Sequence, residues 1–177
     1  MSNKKPIIAI VGRPNVGKST FVNRLVGGRH SIVDDMPGVT RDRIYFDVEW
    51  QHKYFTVIDT GGIIPGDEDE IMLSIFDQAQ IACDEADKII FLVDGKDGVN
   101  PVDEDIANIL RKSKKPIFLV VNKIDSKAAM PMLADFYSLS IGEPMAISAL
   151  HGSGGAVLIV MVITVVTMRP KEAMLCR

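Results

Sequence analysis

Short apolar runs alternate with amphipathic stretches along most of the chain. Ile7 to Val11, Phe55 to Ile58, Ile89 to Val93 and Ile117 to Val121 are β-branched-rich and nearly continuous. Such runs suit strands buried on both faces of a parallel sheet, because a strand with one wet face alternates instead. Between them, Ser19 to Val26, Glu70 to Cys83 and Val102 to Leu110 carry helical spacing, and Pro101 stands at a first-turn position where its missing N–H removes no helix bond. Ile44 to Trp50 and Lys53 to Ile58 differ: each alternates, and only Gln51 and His52 separate them. No helix fits in that gap, so the pair predicts a hairpin. The expected fold is α/β, a mostly parallel, doubly wound sheet with one antiparallel edge strand.

The pattern changes abruptly after Gly155. Ala156 to Met168 are thirteen consecutive uncharged residues, nine of them Val, Ile or Thr. That falls short of the roughly 20 residues a membrane-spanning helix needs, so no transmembrane anchor is expected. Its β-branched density favours strand, which is an aggregation hazard if exposed and a cover for one sheet face if buried.

Composition narrows the class. With 177 residues and 47% apolar content, the chain suits one domain with a substantial core. A formal charge of −3 and a pI near 5.6 give no chain-wide basic field to recruit nucleic acid or an anionic membrane. Cys83 and Cys176 lack paired spacing, and Cys83 lies in an amphipathic stretch that suits a buried free thiol, consistent with a reducing cytoplasm. The apolar run after Lys4 and Lys5 is too short for a signal-peptide core and serves as the first strand. His30, His52 and His151 have no ligand-like spacing.

Candidate chemistry begins with GRPNVGKS, Gly12 to Ser19, which fits G-x-x-x-x-G-K-S between an expected strand and an expected helix. Gly12, Arg13, Pro14, Asn15, Val16 and Gly17 form a loop whose backbone N–H groups, Pro14 having none, can curl around phosphate oxygens. Lys18 reaches the β and γ phosphates, and Ser19 can ligate Mg²⁺ at the helix N-terminus, with Thr20 beside it. NKID, Asn122 to Asp125 with Lys123 and Ile124 between, follows the strand Ile117 to Val121 at the carboxyl edge where doubly wound folds bind ligands. Asp125 can accept two hydrogen bonds from guanine N1–H and the 2-amino group, which adenine cannot supply. Taken alone, NKID also fits a polar turn with an Asp opening the next helix.

Asp59 ends the hairpin's second strand in DTGGI, with Thr60, Gly61, Gly62 and Ile63 following. There a carboxylate can hold Mg²⁺ through water, and the Gly62 N–H can bond a γ-phosphate. An ordinary Asp-Gly turn is the alternative were the phosphate loop absent. PGVTRDR, Pro37 to Arg43, is a long irregular connection in which Thr40 could complete the Mg²⁺ shell. Arg41 and Arg43 flank Asp42 and suit ion-paired loop residues better than arginine fingers. SAL, Ser148, Ala149 and Leu150, could back the guanine with main-chain N–H groups. Asp67 to Glu70 and RKSKKP, Arg111 to Pro116, suit the acidic start and basic end of helices.

With GRPNVGKS, Thr40, DTGG, NKID and SAL in order, the chain resembles the TrmE-Era-EngA-like translational GTPases, the P-loop NTPase G-domain fold. DDMPGVTRDRIY, DTGGI, VDGKDGVNPVDEDIANILRKSKKP and AISALHGSG look like the first G domain of the Der (EngA) family, bacterial GTPases with two tandem G domains. The resemblance covers about residues 4–154, which are expected to form the G domain, with 155–177 a divergent apolar tail. It implies slow GTP hydrolysis with Mg²⁺, a role in large-ribosomal-subunit assembly, and a cytoplasmic monomer that meets the large subunit or its rRNA through domains absent here.

Ile63 stands where other GTPases place a water-orienting glutamine, and the resemblance implies that Asn15 helps hold K⁺ against the phosphates in compensation. Lys18, Asn15 and Gly62 are therefore the expected catalytic set. Met36 stands where the family has Thr in a D-T-P-G stretch. The closing amphipathic helix expected after Gly154 is replaced by the apolar tail, which suggests a truncated or frame-shifted segment or else a genuine variant. A GTP/GDP-dependent interaction module with negligible turnover is the alternative function. A P-loop phosphotransferase would leave NKID unexplained.

Overall fold

A computed structural model describes residues 5–26, 30–32, 44–50, 52–60, 68–125 and 127–150. The strands are β1 (Ile7–Val11), β2 (His30–Ile32), β3 (Ile44–Trp50), β4 (Lys53–Asp59), β5 (Lys88–Asp94), β6 (Ile117–Asn122) and β7 (Met145–Ala146). The helices are α1 (Lys18–Val26), α2 (Glu68–Glu85) and α3 (Pro101–Lys112), with a 3₁₀ helix at Lys127–Leu139. The strands form one seven-stranded sheet in the order β2-β3-β4-β1-β5-β6-β7.

β4, β1, β5, β6 and β7 pair in parallel, and β3 runs against both its neighbours. The hairpin is as expected, with Trp50 and Lys53 the last pair before a two-residue turn in which His52 has φ 60°. Positive φ there matches the twist of the flanking strands. The reversed strand is not the outermost, however, because the three-residue β2 lies outside it. A segment as short as His-Ser-Ile carries no readable period, and its pairing with β3 is what makes it a strand.

Both sheet faces are buried, which explains the continuous apolar runs. In β1, Ala9 and Val11 point to the α2 and α3 side, where they meet Ala79, Ala82, Ile106 and Leu110. Ile8 and Ile10 point the other way, to Phe21, Val22 and Leu25 of α1. Cys83 lies in the first of these cores as a free thiol. α3 opens with a capping box in which the Asn100 side chain accepts from the Val102 N–H at 2.9 Å and Asp103 accepts from the Asn100 N–H at 3.2 Å. Pro101 occupies the first turn and Arg111 and Lys112 the last, as the sequence suggests. No helix among the described residues is long and apolar enough to cross a membrane.

The chain turns back across the sheet at β1: β2, β3 and β4 lie on one side of it and β5, β6 and β7 on the other. The crevice at the carboxyl ends of such strands is where doubly wound folds bind ligands. Phe21 is fully buried between α1 and the sheet. Phe21→Ala should cost about 3–5 kcal/mol of stability in urea unfolding followed by circular dichroism. Leu73→Ala on α2, where Leu73 is 66% exposed, should change it by less than about 0.5 kcal/mol.

Candidate functional site

The carboxyl ends of β1, β4, β5 and β6 bring four segments to one edge: the loop Gly12 to Gly17, Asp59 with Thr60, the turn from Asp94, and NKID. The loop passes close to the sheet. A Cβ on Gly12 would stand 2.2 Å from the Leu92 carbonyl oxygen, so a side chain is excluded there. Asn15 has φ 66° and Gly17 φ 97°, and asparagine and glycine tolerate this left-handed region best.

Lys18 opens α1 and folds back into its own loop, its Nζ donating to the carbonyls of Gly12 at 2.6 Å and Arg13 at 2.9 Å. Burial lowers its pKa from 10.5 to about 8, against the opposing pull of the Asp59 charge. An ammonium held this way is costly to keep charged and gains from an anion brought beside it. Ser19 and Thr20, next along α1, are exposed, as is Asn15. Pro14 is half-buried and Val16 fully buried in the core under α1.

Asn122 joins three segments. Its Nδ2 donates to the Val16 carbonyl at 2.8 Å and its Oδ1 accepts from the Ala149 N–H at 2.9 Å. GRPNVGKS, NKID and SAL are thus gathered by one buried amide. Ser148 Oγ donates to Asp125 Oδ1 at 2.7 Å. The Ile124 N–H donates to the Ile147 carbonyl at 3.0 Å, and Arg24 of α1 donates to the Leu150 carbonyl at 2.9 Å. On the other side of β1, the Thr60 hydroxyl donates to the Ile10 carbonyl at 2.7 Å, fixing the chain after Asp59 against the first strand.

The segment after β5 carries residues that pattern reading did not single out. Asp94 Oδ2 accepts from Lys123 Nζ at 2.5 Å, and its Oδ1 accepts from the N–H groups of Lys96 at 2.9 Å and Asp97 at 3.4 Å. Burial pushes the Asp94 carboxyl up, but these bonds and the Lys123 charge outweigh it and hold it below the ordinary carboxylate range. Lys96 Nζ lies 2.6 Å from Asp125 Oδ2. Arg13 reaches Asp97 at 3.2 Å and the fully buried Asp103 at 3.3 Å. Burial raises the Asp103 pKa despite Arg13, and among the described residues its Oδ1 has no hydrogen-bond partner. The available signal was the Asp-Gly-Lys turn leaving a strand at the same edge as NKID.

Thr40, Arg41, Arg43, Gly61, Gly62 and Ile63 lie outside the described residues, as do residues 151–177. Among the described residues no three His, Cys, Asp or Glu side chains gather as a metal cage. The donors at hand, the Ser19 hydroxyl and the Asp59 carboxylate, are hard oxygen groups of the kind that bind Mg²⁺ together with substrate phosphates rather than in a protein cage.

Residues 7–123 match the family described as "50S ribosome-binding GTPase". The chain is 59% identical over 151 residues to GTPase Der of Acetivibrio thermocellus, covering 85% of this chain and 34% of that relative. It is 57% identical over 149 residues to GTPase Der of Geobacillus thermodenitrificans, covering 84% of this chain and 34% of that one. The chain therefore spans about a third of the length of the curated relatives it matches. Among solved structures it is similar to Era in complex with MgGDPNP and a segment of 16S ribosomal RNA, with a TM-score of 0.72 and 32% identity over 94% of this chain and 58% of that one. An Aquifex aeolicus Era variant bound to GDP.AlF4- gives a TM-score of 0.70 and 30% identity with the same coverage. The described strands, the phosphate loop and the matched span agree, and the chain belongs to the 50S ribosome-binding GTPase family.

Proposed function

We propose that this chain is a G domain, over residues 4–154, that binds GTP and hydrolyses it to GDP and phosphate. The observation that carries the reading is the Asn122 amide, which ties the phosphate loop, NKID and SAL into one surface. A phosphate loop alone fits many nucleotides; its attachment to a carboxylate suited to guanine favours GTP.

In this reading Asp125 accepts from guanine N1–H and the 2-amino group, with Ser148, Ala149 and Leu150 behind the base. Backbone N–H groups between Gly12 and Lys18 hold the phosphate oxygens. Lys18 leaves its two loop carbonyls and places its ammonium against the β and γ phosphates, where charge builds on the phosphoryl oxygens during transfer. Thr40 and Gly62 sense the γ-phosphate.

Ser19, with Thr40 and with Asp59 through water, would hold Mg²⁺, which when bound supplies positive charge to the phosphate oxygens. Asn15, exposed on the loop in a left-handed conformation, would help hold K⁺ there, supplying charge that Ile63 cannot. Mg²⁺ is supported by the Era structure solved with MgGDPNP.

The relatives named GTPase Der, and the Era structure holding 16S ribosomal RNA, support a ribosomal setting for the whole protein. We place that contact, with the large subunit or its rRNA, in parts of the protein beyond the G domain, and take the domain to act as a cytoplasmic monomer. The segment 155–177 is a divergent tail in this scheme.

GTP and GDP, but not ATP, should displace bound guanine nucleotide, and single-turnover phosphate release should be on the order of 10- to 100-fold faster in K⁺ than in Na⁺. Asn15→Ala should abolish that difference, and equal turnover of the parent in the two salts would overturn the K⁺ assignment. Lys18 gives a separate prediction with a definite sign. Free protein with a Lys18 pKa of about 8 has part of that ammonium neutral at pH 8.5, whereas bound phosphate favours the charged form. GDP binding at pH 8.5 should therefore take up protons, seen by calorimetry in buffers of different ionisation enthalpy, and should weaken as pH rises above about 8. The uptake should vanish at pH 6.5, where Lys18 is already charged, and in Lys18→Met.

A further inference from the structure

The turn after β5 grips all four residues of NKID at once. Register between β5 and β6 sets Asp94 beside Asn122. The Gly95 N–H donates to the Asn122 carbonyl at 2.8 Å. A Cβ on Gly95 would stand 2.5 Å from Ile124 Cδ1 and 2.8 Å from the Asn122 carbonyl, so only glycine lets the two segments lie this close. Asp94 holds Lys123 with one carboxylate oxygen and the backbone of Lys96 with the other. Lys96 then reaches Asp125 Oδ2 at 2.6 Å while Ser148 donates to Asp125 Oδ1 at 2.7 Å.

A carboxylate reading two guanine donors must present both oxygens in the plane of the base. Each oxygen has two lone-pair sites, so a carboxylate oxygen engaged by Ser148 or by Lys96 can still accept from the base. Bonds at both ends fix the rotation of the carboxylate about its own axis, which a bond at one end does not. We propose that Lys96 is a positioning residue for guanine recognition, its ion pair with Asp125 holding that carboxylate in the orientation that accepts both donors. The proposal rests on Asp125 being the guanine acceptor, as read above. Lys96 is 62% exposed at its side chain, and a pair this open adds little to global stability. Its effect belongs to base recognition.

The test uses the full chain with GDP and with IDP, whose base lacks the 2-amino group and makes one bond fewer to Asp125. Lys96→Met should weaken GDP binding by about two- to five-fold, the size expected of an exposed ion pair, with a smaller change for IDP. The preference for GDP over IDP therefore falls, and Lys96→Arg should restore it. The thermal midpoint of ligand-free protein should not move. Unchanged or tighter GDP binding in Lys96→Met, or equal losses for GDP and IDP, would overturn the proposal. Asp125→Asn separates the two levels. If it loses the preference for GDP while Lys96→Met keeps it, the positioning role alone falls. If Asp125→Asn binds both nucleotides as the parent does, the guanine reading falls and this inference with it.

Discussion

The site depends on one buried side-chain amide. Asn122 is 3% exposed and uses both ends, donating to a carbonyl of the phosphate loop and accepting from the N–H of Ala149. Leaving either end unpaired in the interior costs about 1–3 kcal/mol, so neither loop shifts without that penalty. The contact is also close. A Cβ on Gly17 would stand 2.4 Å from Asn122 Nδ2, so the second glycine of the phosphate loop is required by the asparagine of NKID. Two motifs that appear independent in sequence constrain each other's residue types.

Around that amide, Lys18, Asp94 and Asp103 are displaced from their ordinary behaviour in different ways. Lys18 is depressed because burial strips water from an ammonium that only carbonyls and the Asp59 charge compensate. Asp94 is buried too, but a lysine and two N–H groups more than replace its water. Asp103 is raised by burial, with Arg13 and the Asn100 N–H on one oxygen and, among the described residues, no partner on the other. In the proposed reading the first of these groups meets the phosphates, and a polyanion there would relieve the penalty. The other two hold the β5–α3 connection in place. Perturbation alone would not tell them apart; the partners do.

Most of the fold was legible because its signals are local. The four parallel strands expected from apolar runs are found within two residues of their predicted starts and within one of their ends, since burial on both faces leaves no polar interruption. The three helices follow from spacing and from Pro101. β2 and the 3₁₀ helix Lys127–Leu139 were not legible: one is too short to show a period, and the other contains Pro131, which lacks the N–H a helix interior uses. In the site, GRPNVGKS and NKID announced themselves by spacing. Asp94, Lys96 and Asp103 did not, because their roles consist of partners 29, 29 and 90 positions away in the chain.

The proposed function separates binding from switching. Phosphate loop, NKID, SAL and the turn at Asp94 are bound to one another and to the parallel strands. In the proposed reading such a body meets guanine and a diphosphate in one geometry. Discrimination between GTP and GDP needs groups that meet the γ-phosphate alone, and the residues assigned to it, Thr40 and Gly62, belong to the connections on either side of the β3–β4 hairpin. The link between the two halves is Thr60, whose hydroxyl fastens the chain leaving β4 to the Ile10 carbonyl of β1. Asp59 is thereby held with the binding body, while the residues just beyond Thr60 are those assigned to the terminal phosphate.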